Sequence, residues 1–233
     1  MNDPVSPLPF LPRTPREALG PSLREQVFID DQTFVIERPS RSDRILDHPA
    51  VNAAIVNDGY MPYWAELWPA ARMLAKWIVR NPWPGGNHAL EIGCGLGLPG
   101  IAALSRGVRV TFSDYDLTAL EFAAANARLN RFTNFDTLPI DWRHPPAGVT
   151  FPVILAADLT YEPGNIPPLV GIIKQLLAPD GVCLLTDLDR IPAALFRETL
   201  TREGMPFTSQ MLRAGEPGGR RLKGTLYIVR LAS

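Results

Sequence analysis

Residues 89–100 combine a carboxylate with a run of alternate glycines. Glu91 ends a short apolar run, Gly93, Gly95 and Gly97 follow, and a helical pattern then begins. This order predicts a strand, a glycine turn and a helix. Alternate glycines allow positive φ and a close approach of bare main chain to a ligand, and the free N–H groups of the new helix attract negative charge. The pattern indicates a nucleotide site, although glycine turns of this kind also join strands to helices with no ligand.

Two kinds of nucleotide ligand are compatible with this stretch. Residues 95–100 form a G-x-G-x-x-G, the dinucleotide fingerprint, which would suit an NAD-type oxidoreductase. Glu91 is unfavourable beside a pyrophosphate, because two like charges in a dry crevice repel each other. S-adenosylmethionine (SAM) carries an ammonium, a sulfonium and no phosphate, so the carboxylate suits it better. We therefore favour SAM and keep the NAD-type oxidoreductase as an alternative.

Acidic residues also end the next two predicted strands. Asp114 ends a strand over 109–113 and lies 19 residues after Gly95. This is close to the interval of about 20 at which an acid meets the ribose hydroxyls in a nucleotide-binding β-α-β unit. A helix N-cap is the alternative for Asp114, but Asp116 is better placed to cap the following helix, in which we expect Asn126 and Asn130 at the surface. We predict that Asp114 binds ribose.

Asp141 and Trp142 follow a third strand predicted around 137–140. At the carboxyl edge of a doubly wound sheet they would lie beside the nucleotide crevice. Trp142 could stack on a purine and Asp141 could accept a hydrogen bond from its exocyclic amine. Edge packing is the alternative for Trp142.

A fourth strand is indicated by the continuous apolar run over 151–157, which is typical of a buried parallel strand. It leads into Asp158-Leu159-Thr160-Tyr161. In a sheet of order 3-2-1-4-5 the end of this strand faces the reactive half of the cofactor. We therefore include Ala157 among the cofactor contacts and expect Asp158 and Tyr161 to face the reacting group.

An aromatic turn precedes the glycine motif. Trp64 and Trp68 lie just before Pro69, after which apolar residues recur at helical spacing. This turn could line the cofactor pocket, or its aromatic residues could be core anchors, which is the interpretation that we prefer for Trp77.

Composition limits the class of protein. The chain has 233 residues, of which 46% are hydrophobic, enough for one domain with a full core. A formal net charge of −1 gives no footprint for nucleic acid. The two cysteines lie in apolar runs and predict neither a disulfide framework nor a metal site. No apolar run approaches 18 residues and no signal peptide is evident, so we expect a cytoplasmic protein with no membrane partner.

The domain organisation is predicted from proline density and periodicity. Residues 1–21 contain six prolines, which argues against a helix, and we expect a flexible arm over 1–25. Residues 26–233 form the domain, which begins with a hairpin over 26–37 and a short helix capped by Asp43. Strands and helices then alternate, and two strands over 207–212 and 225–231 end the chain. An NAD-type sheet would continue with parallel units, so this ending disfavours it.

The motifs resemble those of a known family. The pattern E-x-G-x-G-x-G resembles the first motif of the class I SAM-dependent methyltransferases. Trp64-x-x-x-Trp68-Pro69, Asp141-Trp142 and Asp158-Leu159-Thr160-Tyr161 resemble family 16 of the protein methyltransferases, which includes lysine methyltransferases acting on chaperones and on the electron transfer flavoprotein β subunit. The resemblance covers roughly residues 26–231.

This resemblance implies an α/β fold, a seven-stranded Rossmann-like class I methyltransferase sheet with helices on both faces and a terminal antiparallel hairpin. Carried over by position, the resemblance implies that Glu91, Gly93, Gly95 and Gly97 hold SAM and that Asp114 binds ribose. It also implies that Trp68 and Trp142 flank the cofactor, and that Asp158 and Tyr161 of the D-x-x-Y motif face the acceptor.

Methyl transfer from a sulfonium needs no nucleophile or metal from the protein, because it is a direct in-line displacement. A lysine acceptor must be neutral, and with a reference pKa near 10.4 its deprotonation at pH 7 costs about 4 to 5 kcal/mol. Asp158 would favour the charged amine, so we assign it to orienting the substrate. We expect a SAM-dependent N-methyltransferase acting on lysine of a protein partner. A small-molecule N-methyltransferase and a non-catalytic SAM-fold binding protein remain alternatives.

Overall fold

The computed structural model describes residues 11–215 and 221–232. The strands in these ranges are β1 (Ser22–Ile29), β2 (Gln32–Pro39), β3 (His88–Ile92), β4 (Arg109–Asp114), β5 (Phe135–Pro139), β6 (Phe151–Ala157), β7 (Leu177–Asp187), β8 (Phe207–Ala214) and β9 (Leu222–Val229). The α-helices are α1 (Arg16–Leu19), α2 (Pro49–Asp58), α3 (Pro69–Arg80), α4 (Leu98–Leu104), α5 (Leu117–Leu129), α6 (Ile166–Leu176) and α7 (Ala193–Arg202).

Seven strands form the central sheet in the order β5-β4-β3-β6-β7-β9-β8. The five strands from β5 to β7 are parallel, and β9 pairs antiparallel with both β7 and β8. The predicted order 3-2-1-4-5 and the terminal hairpin are therefore confirmed. The carboxyl ends of β3, β4 and β6 meet at one edge of the sheet, which brings together the residues that follow them.

Both faces of the sheet are covered by helices. On β6, Val153 and Leu155 pack into the core cluster that contains residues of α3, α4 and α5. Ile154 and Ala156 point to the opposite cluster, which contains residues of α6 and α7. A strand that is buried on both faces needs apolar residues at every position, which explains its continuous apolar run.

The proline-rich segment differs from its prediction where the structure describes it. The expectation that residues 1–21 contain no helix is wrong, because α1 forms one turn between Pro15 and Gly20. Pro15 immediately precedes the first helical residue, where its missing N–H has no cost. Thr14 is buried and only 1% exposed. The first ten residues of the predicted arm lie outside the described part of the chain.

Helix α2 is an element that periodicity did not indicate. Its apolar residues do not fall on one face, and Val56 is 84% exposed. The preceding residues 42–47 form a 3-10 helix whose cap position is Arg41, so the predicted cap at Asp43 is wrong. The N-terminal hairpin is confirmed as an antiparallel β1–β2 pair, with longer strands than expected.

The predicted surface position is wrong for Asn126 on α5, whereas Asn130 is half-buried. Asn126 is fully buried and bonds both backbone groups of Glu37, with its Oδ1 accepting from N at 2.7 Å and its Nδ2 donating to O at 3.0 Å. Asn130 makes the same pair of bonds to Val35. The two amides thus dock β2 along α5. No helix within residues 11–215 or 221–232 is long and apolar enough to cross a membrane.

Candidate cofactor and acceptor site

A cavity of about 570 Å³ opens at the carboxyl edge of the parallel strands. All eleven residues that the sequence suggested for the site line this one space, and their individual roles remain predictions. They are Trp68, Glu91, Gly93, Gly95, Gly97, Asp114, Asp141, Trp142, Ala157, Asp158 and Tyr161.

Glycine is required for different reasons at two positions, one in the turn that connects β3 to α4 and one inside α4. Gly95 has φ +50°, and its N–H donates to Asp114 Oδ2 at 2.9 Å. Gly100 lies inside α4, where an added Cβ would come within 2.5 Å of Glu91 Oε2. The last glycine of the literal G-x-G-x-x-G is therefore explained by packing against Glu91.

Glu91 is almost fully buried at the end of β3, and its Oε2 accepts a hydrogen bond from Gly100 N at 2.9 Å. Burial raises the pKa of the Glu91 carboxyl well above its usual value, and the bond from Gly100 offsets part of this rise. Glu91 thus anchors the first turn of α4 while it lines the cavity.

Asp114 is held by the backbone from two sides. Besides the bond from Gly95, its Oδ1 accepts from Asp116 N at 3.0 Å. Burial raises the pKa of Asp114 to about 6, against the lowering effect of these backbone bonds. The N-cap of α5 is Asp116, as predicted, with Oδ1 accepting from Thr118 N at 2.6 Å. A carboxylate has about four acceptor positions, and backbone N–H groups of Gly95, Asp116 and Tyr115 act on this one, so Asp114 retains at least one position for a ligand.

The two residues after β5 present different groups to the cavity. Asp141 is bound by its neighbour Arg143, whose Nε donates to Oδ1 at 2.9 Å and to Oδ2 at 3.0 Å. Trp142 has a buried Nε1 that finds no hydrogen-bond partner among the described residues. A buried indole N–H normally has a hydrogen-bond partner, so we expect a bound ligand to accept a hydrogen bond from Trp142 Nε1.

An aromatic wall faces the end of β6. Tyr63 packs edge-on against Tyr161, with ring centroids 4.8 Å apart, and against Trp68 at 6.1 Å. Trp68 Nε1 donates to the carbonyl of Tyr63 at 2.8 Å, which fixes the indole. Trp64 also lines the cavity, but only 7% of it is exposed and its ring packs on Phe122. The turn therefore supplies a pocket wall and a core anchor.

Asp158 is paired with Arg190, a residue that the sequence did not single out. Arg190 Nη2 donates to Asp158 Oδ2 at 3.0 Å, and Nη1 lies 2.9 Å from Oδ1. The second contact is an ion pair without hydrogen-bond alignment, because Oδ1 has no aligned donor among the described residues. Burial raises the pKa of Asp158 to about 6, although Arg190 acts to lower it. Arg190 lies three residues past the end of β7, which was the available signal.

The N-terminal segment is tied to the wall of the cavity. Thr14 Oγ1 donates to Asp116 Oδ2 at 2.5 Å and receives the indole N–H of Trp64 at 3.2 Å. The hydroxyl of Tyr60 also donates to Asp116. Burial beside the Asp116 carboxylate raises the pKa of Tyr60. These contacts join residues that are 50 to 102 positions apart in the sequence, so local spacing gave no sign of them.

The donor set of this cavity fits SAM. The remaining acceptor capacity of Asp114 suits a ribose hydroxyl, and the unpartnered N–H of Trp142 and its ring suit a heteroaromatic base. No group of three or more His, Cys, Asp or Glu residues in the described ranges is arranged to hold a metal ion.

The strand order, the glycine turn after β3 and the terminal antiparallel pair define a class I SAM-dependent methyltransferase fold. A TehB-like SAM-dependent methyltransferase from Corynebacterium glutamicum has the same fold, with a TM-score of 0.54 at 16% identity over 84% of this chain and 100% of that one. The lysine methyltransferase family matches residues 52–195, more than half of the chain. The chain therefore belongs to this family, whose members use SAM.

Two curated relatives illustrate the range of the family. Human histone-arginine methyltransferase METTL23 is 31% identical over 123 residues, which cover 48% of this chain and 62% of that protein. Bovine protein-lysine N-methyltransferase EEF2KMT is 30% identical over 176 residues, which cover 60% of this chain and 52% of that protein. The chain thus spans between half and two thirds of the length of these relatives.

Proposed function

We propose that this protein transfers a methyl group from SAM to a lysine side chain of a protein partner. The observation that carries the proposal is that one cavity contains the glycine turn and Asp114 together with the D-x-x-Y residues Asp158 and Tyr161. A direct displacement requires a cofactor side and an acceptor side that face each other in one cavity. The names of the relatives support a protein acceptor, and one of them is a lysine methyltransferase.

On the cofactor side, we propose that Asp114 accepts hydrogen bonds from the ribose and that Trp142 stacks on adenine beside Asp141. Gly93, Gly95 and Gly97 bring main chain close to the ligand, and Trp68 and Ala157 bound its reactive half. The cationic end of SAM would favour the ionised form of Glu91 and so oppose the effect of burial, which raises the pKa of this carboxyl. Its bond to Gly100 keeps the first turn of α4 in place.

On the acceptor side, we propose that Asp158 and Tyr161 orient the amine while the aromatic wall excludes water. SAM supplies an electrophilic methyl group: the N–C bond forms as the C–S bond breaks, the electron pair goes to sulfur, and the methylated ammonium releases a proton to water. The side chains of this pocket hold the amine in line and favour its neutral form by desolvation. We also expect the enzyme to act in the cytoplasm.

Incubation of the protein with methyl-labelled SAM and a cell extract tests this proposal. We expect label in a protein fraction, and tandem mass spectrometry should place it on lysine Nζ. Label on arginine would assign the acceptor chemistry named for METTL23, and label confined to small molecules would replace the protein partner by a metabolite. Binding of S-adenosylhomocysteine with no transfer to any fraction would leave a binding protein and contradict an enzymatic function.

A further inference from the structure

The ion pair between Asp158 and Arg190 changes what the D-x-x-Y motif presents to an acceptor. An isolated buried carboxylate would hold a lysine as its ammonium, which cannot attack a methyl group. Asp158 is not isolated, because two nitrogens of Arg190 lie within 3.0 Å of its two oxygens. At this point of the cavity the pair has no net charge once Asp158 is ionised.

Several contacts fix Arg190 in this position. Its guanidinium lies 5.7 Å from the ring centroid of Trp68, within the range of a cation–π contact. Its backbone N–H donates to Asp187 Oδ1 at 3.3 Å. The backbone at both members of the pair is also unusual: Asp158 has φ 60°, and Asp189, which directly precedes Arg190, has φ 57°. Non-glycine residues in this conformation are strained, and such strain is concentrated at functional sites.

Stability alone does not explain the pair. A buried ion pair usually gains little over well-packed apolar residues, because the loss of hydration offsets the attraction. Here the side chain of Asp158 is 2% exposed and that of Arg190 is 32% exposed, and both line the cavity. One acceptor atom, Asp158 Oδ1, has no aligned donor among the described residues. An incoming N–H group could supply that donor.

We propose that Arg190 is a positioning residue that neutralises Asp158, so that Asp158 Oδ1 accepts a hydrogen bond from a neutral lysine amine instead of retaining an ammonium. This inference rests on the proposed lysine methyl transfer. It assigns the substrate at the moment of reaction as the free amine, bounded by the rings of Tyr63, Trp68 and Tyr161. With one N–H held by Asp158, the nitrogen lone pair is free to face the methyl group.

Other charges act on the same region and belong in any pH experiment. The titratable or charged groups that influence Asp158 or the adjacent Tyr161 come from the ends of β4, β6 and β7 and from the turn before α3. They are Asp114, Glu162, Asp187, Arg190 and Tyr63.

The first test measures Asp158 directly and requires no turnover. Titration of the Asp158 carboxyl by carbon-13 NMR should give a pKa near 6 in the wild type. Arg190→Met should raise this pKa by about 1 unit or more, because the nearby positive charge is lost. Arg190→Lys should restore most of the effect. Arg197→Met is the matched control, since Arg197 is exposed on α7 and bonds the hydroxyl of Tyr227. An unchanged titration in Arg190→Met would overturn the inference.

The second test follows kcat against pH with the protein that the wild-type enzyme labels in extract. In Arg190→Met the acidic limb of the kcat–pH profile should move to higher pH by about 1 to 3 units. The reason is that Asp158, no longer neutralised by Arg190, retains the lysine as its ammonium. In Arg190→Met with Asp158→Asn the limb should return toward its wild-type position, whatever happens to the maximum rate. A purely structural role would lower the rate without this movement and its reversal.

The proposed lysine methyl transfer and the role of Arg190 can be contradicted by different results. If the wild type labels no lysine, the proposed function fails and the acceptor assigned here fails with it. If the wild type labels lysine but the limbs of wild type and Arg190→Met coincide, only the role of Arg190 is overturned.

Discussion

Replacement of Asp114 by alanine separates a ligand contact from a structural one. Asp114 accepts hydrogen bonds from Gly95 N and Asp116 N at 2.9 and 3.0 Å. With a further backbone bond from Tyr115, they leave at least one of about four acceptor positions of the carboxylate for a ribose hydroxyl. Hydrogen bonds to a charged group are worth about 1.5 to 3 kcal/mol. We therefore expect Asp114→Ala to weaken binding of S-adenosylhomocysteine by roughly 10-fold to 150-fold.

The same substitution also leaves backbone N–H groups without their acceptor, so the free energy of unfolding should fall. Calorimetric titration is therefore done well below the unfolding transition of the variant. The matched control is Asp136→Ala, which removes an exposed carboxylate from β5 that pairs with Arg109 outside the cavity. Undiminished affinity in a folded Asp114→Ala protein would refute the ribose assignment.

Three further predictions concern the cofactor side and the fold. Trp142→Ala should weaken binding of S-adenosylhomocysteine by about 1 to 3 kcal/mol if the indole stacks on adenine, and calorimetry giving equal affinity would leave packing as its role. Asn126→Ala should lower the free energy of unfolding in urea by about 2 to 3 kcal/mol, because its backbone partners lose their bonds. Asn57→Ala on the exposed side of α2 is the control, and an equal effect would argue against the docking role. Because burial raises the pKa of Asp114 to about 6 from 3.8, the native state binds this proton more tightly than the unfolded chain. The contribution of Asp114 to the free energy of unfolding is therefore present below about pH 4 and lost as the pH rises through 6. Asp114→Asn should remove up to about 3 kcal/mol from the change in the free energy of unfolding between pH 4 and pH 6. If the free energies of unfolding of wild type and variant changed equally with pH, this prediction would be contradicted.

The parts of the site that could be predicted are those encoded by short spacing. Glu91, the alternate glycines and Asp114 belong to one β-α-β unit, so strand ends and a single turn place them together. Asp141 and Asp158 follow from the same logic, because carboxyl ends of parallel strands meet at one edge.

The missed features depend on contacts that no local pattern encodes. Arg190 reaches Asp158 across 32 positions, and Thr14 reaches Asp116 across 102. Asn126 was assigned to the surface from its polarity, but backbone groups of β2 satisfy its amide in the interior. Helix α2 has no apolar stripe, so the 3.6-residue period that indicated α3 did not reveal it.

The division of one cavity into a cofactor side and an acceptor side is tested most directly by two values measured for Tyr161→Phe. These are the dissociation constant for SAM and the single-turnover rate on the labelled protein substrate. We predict a dissociation constant close to that of the wild type and a rate reduced by about 100-fold or more, as expected when an orienting contact is lost. Unchanged turnover, or turnover reduced only in proportion to lost SAM binding, would contradict the division.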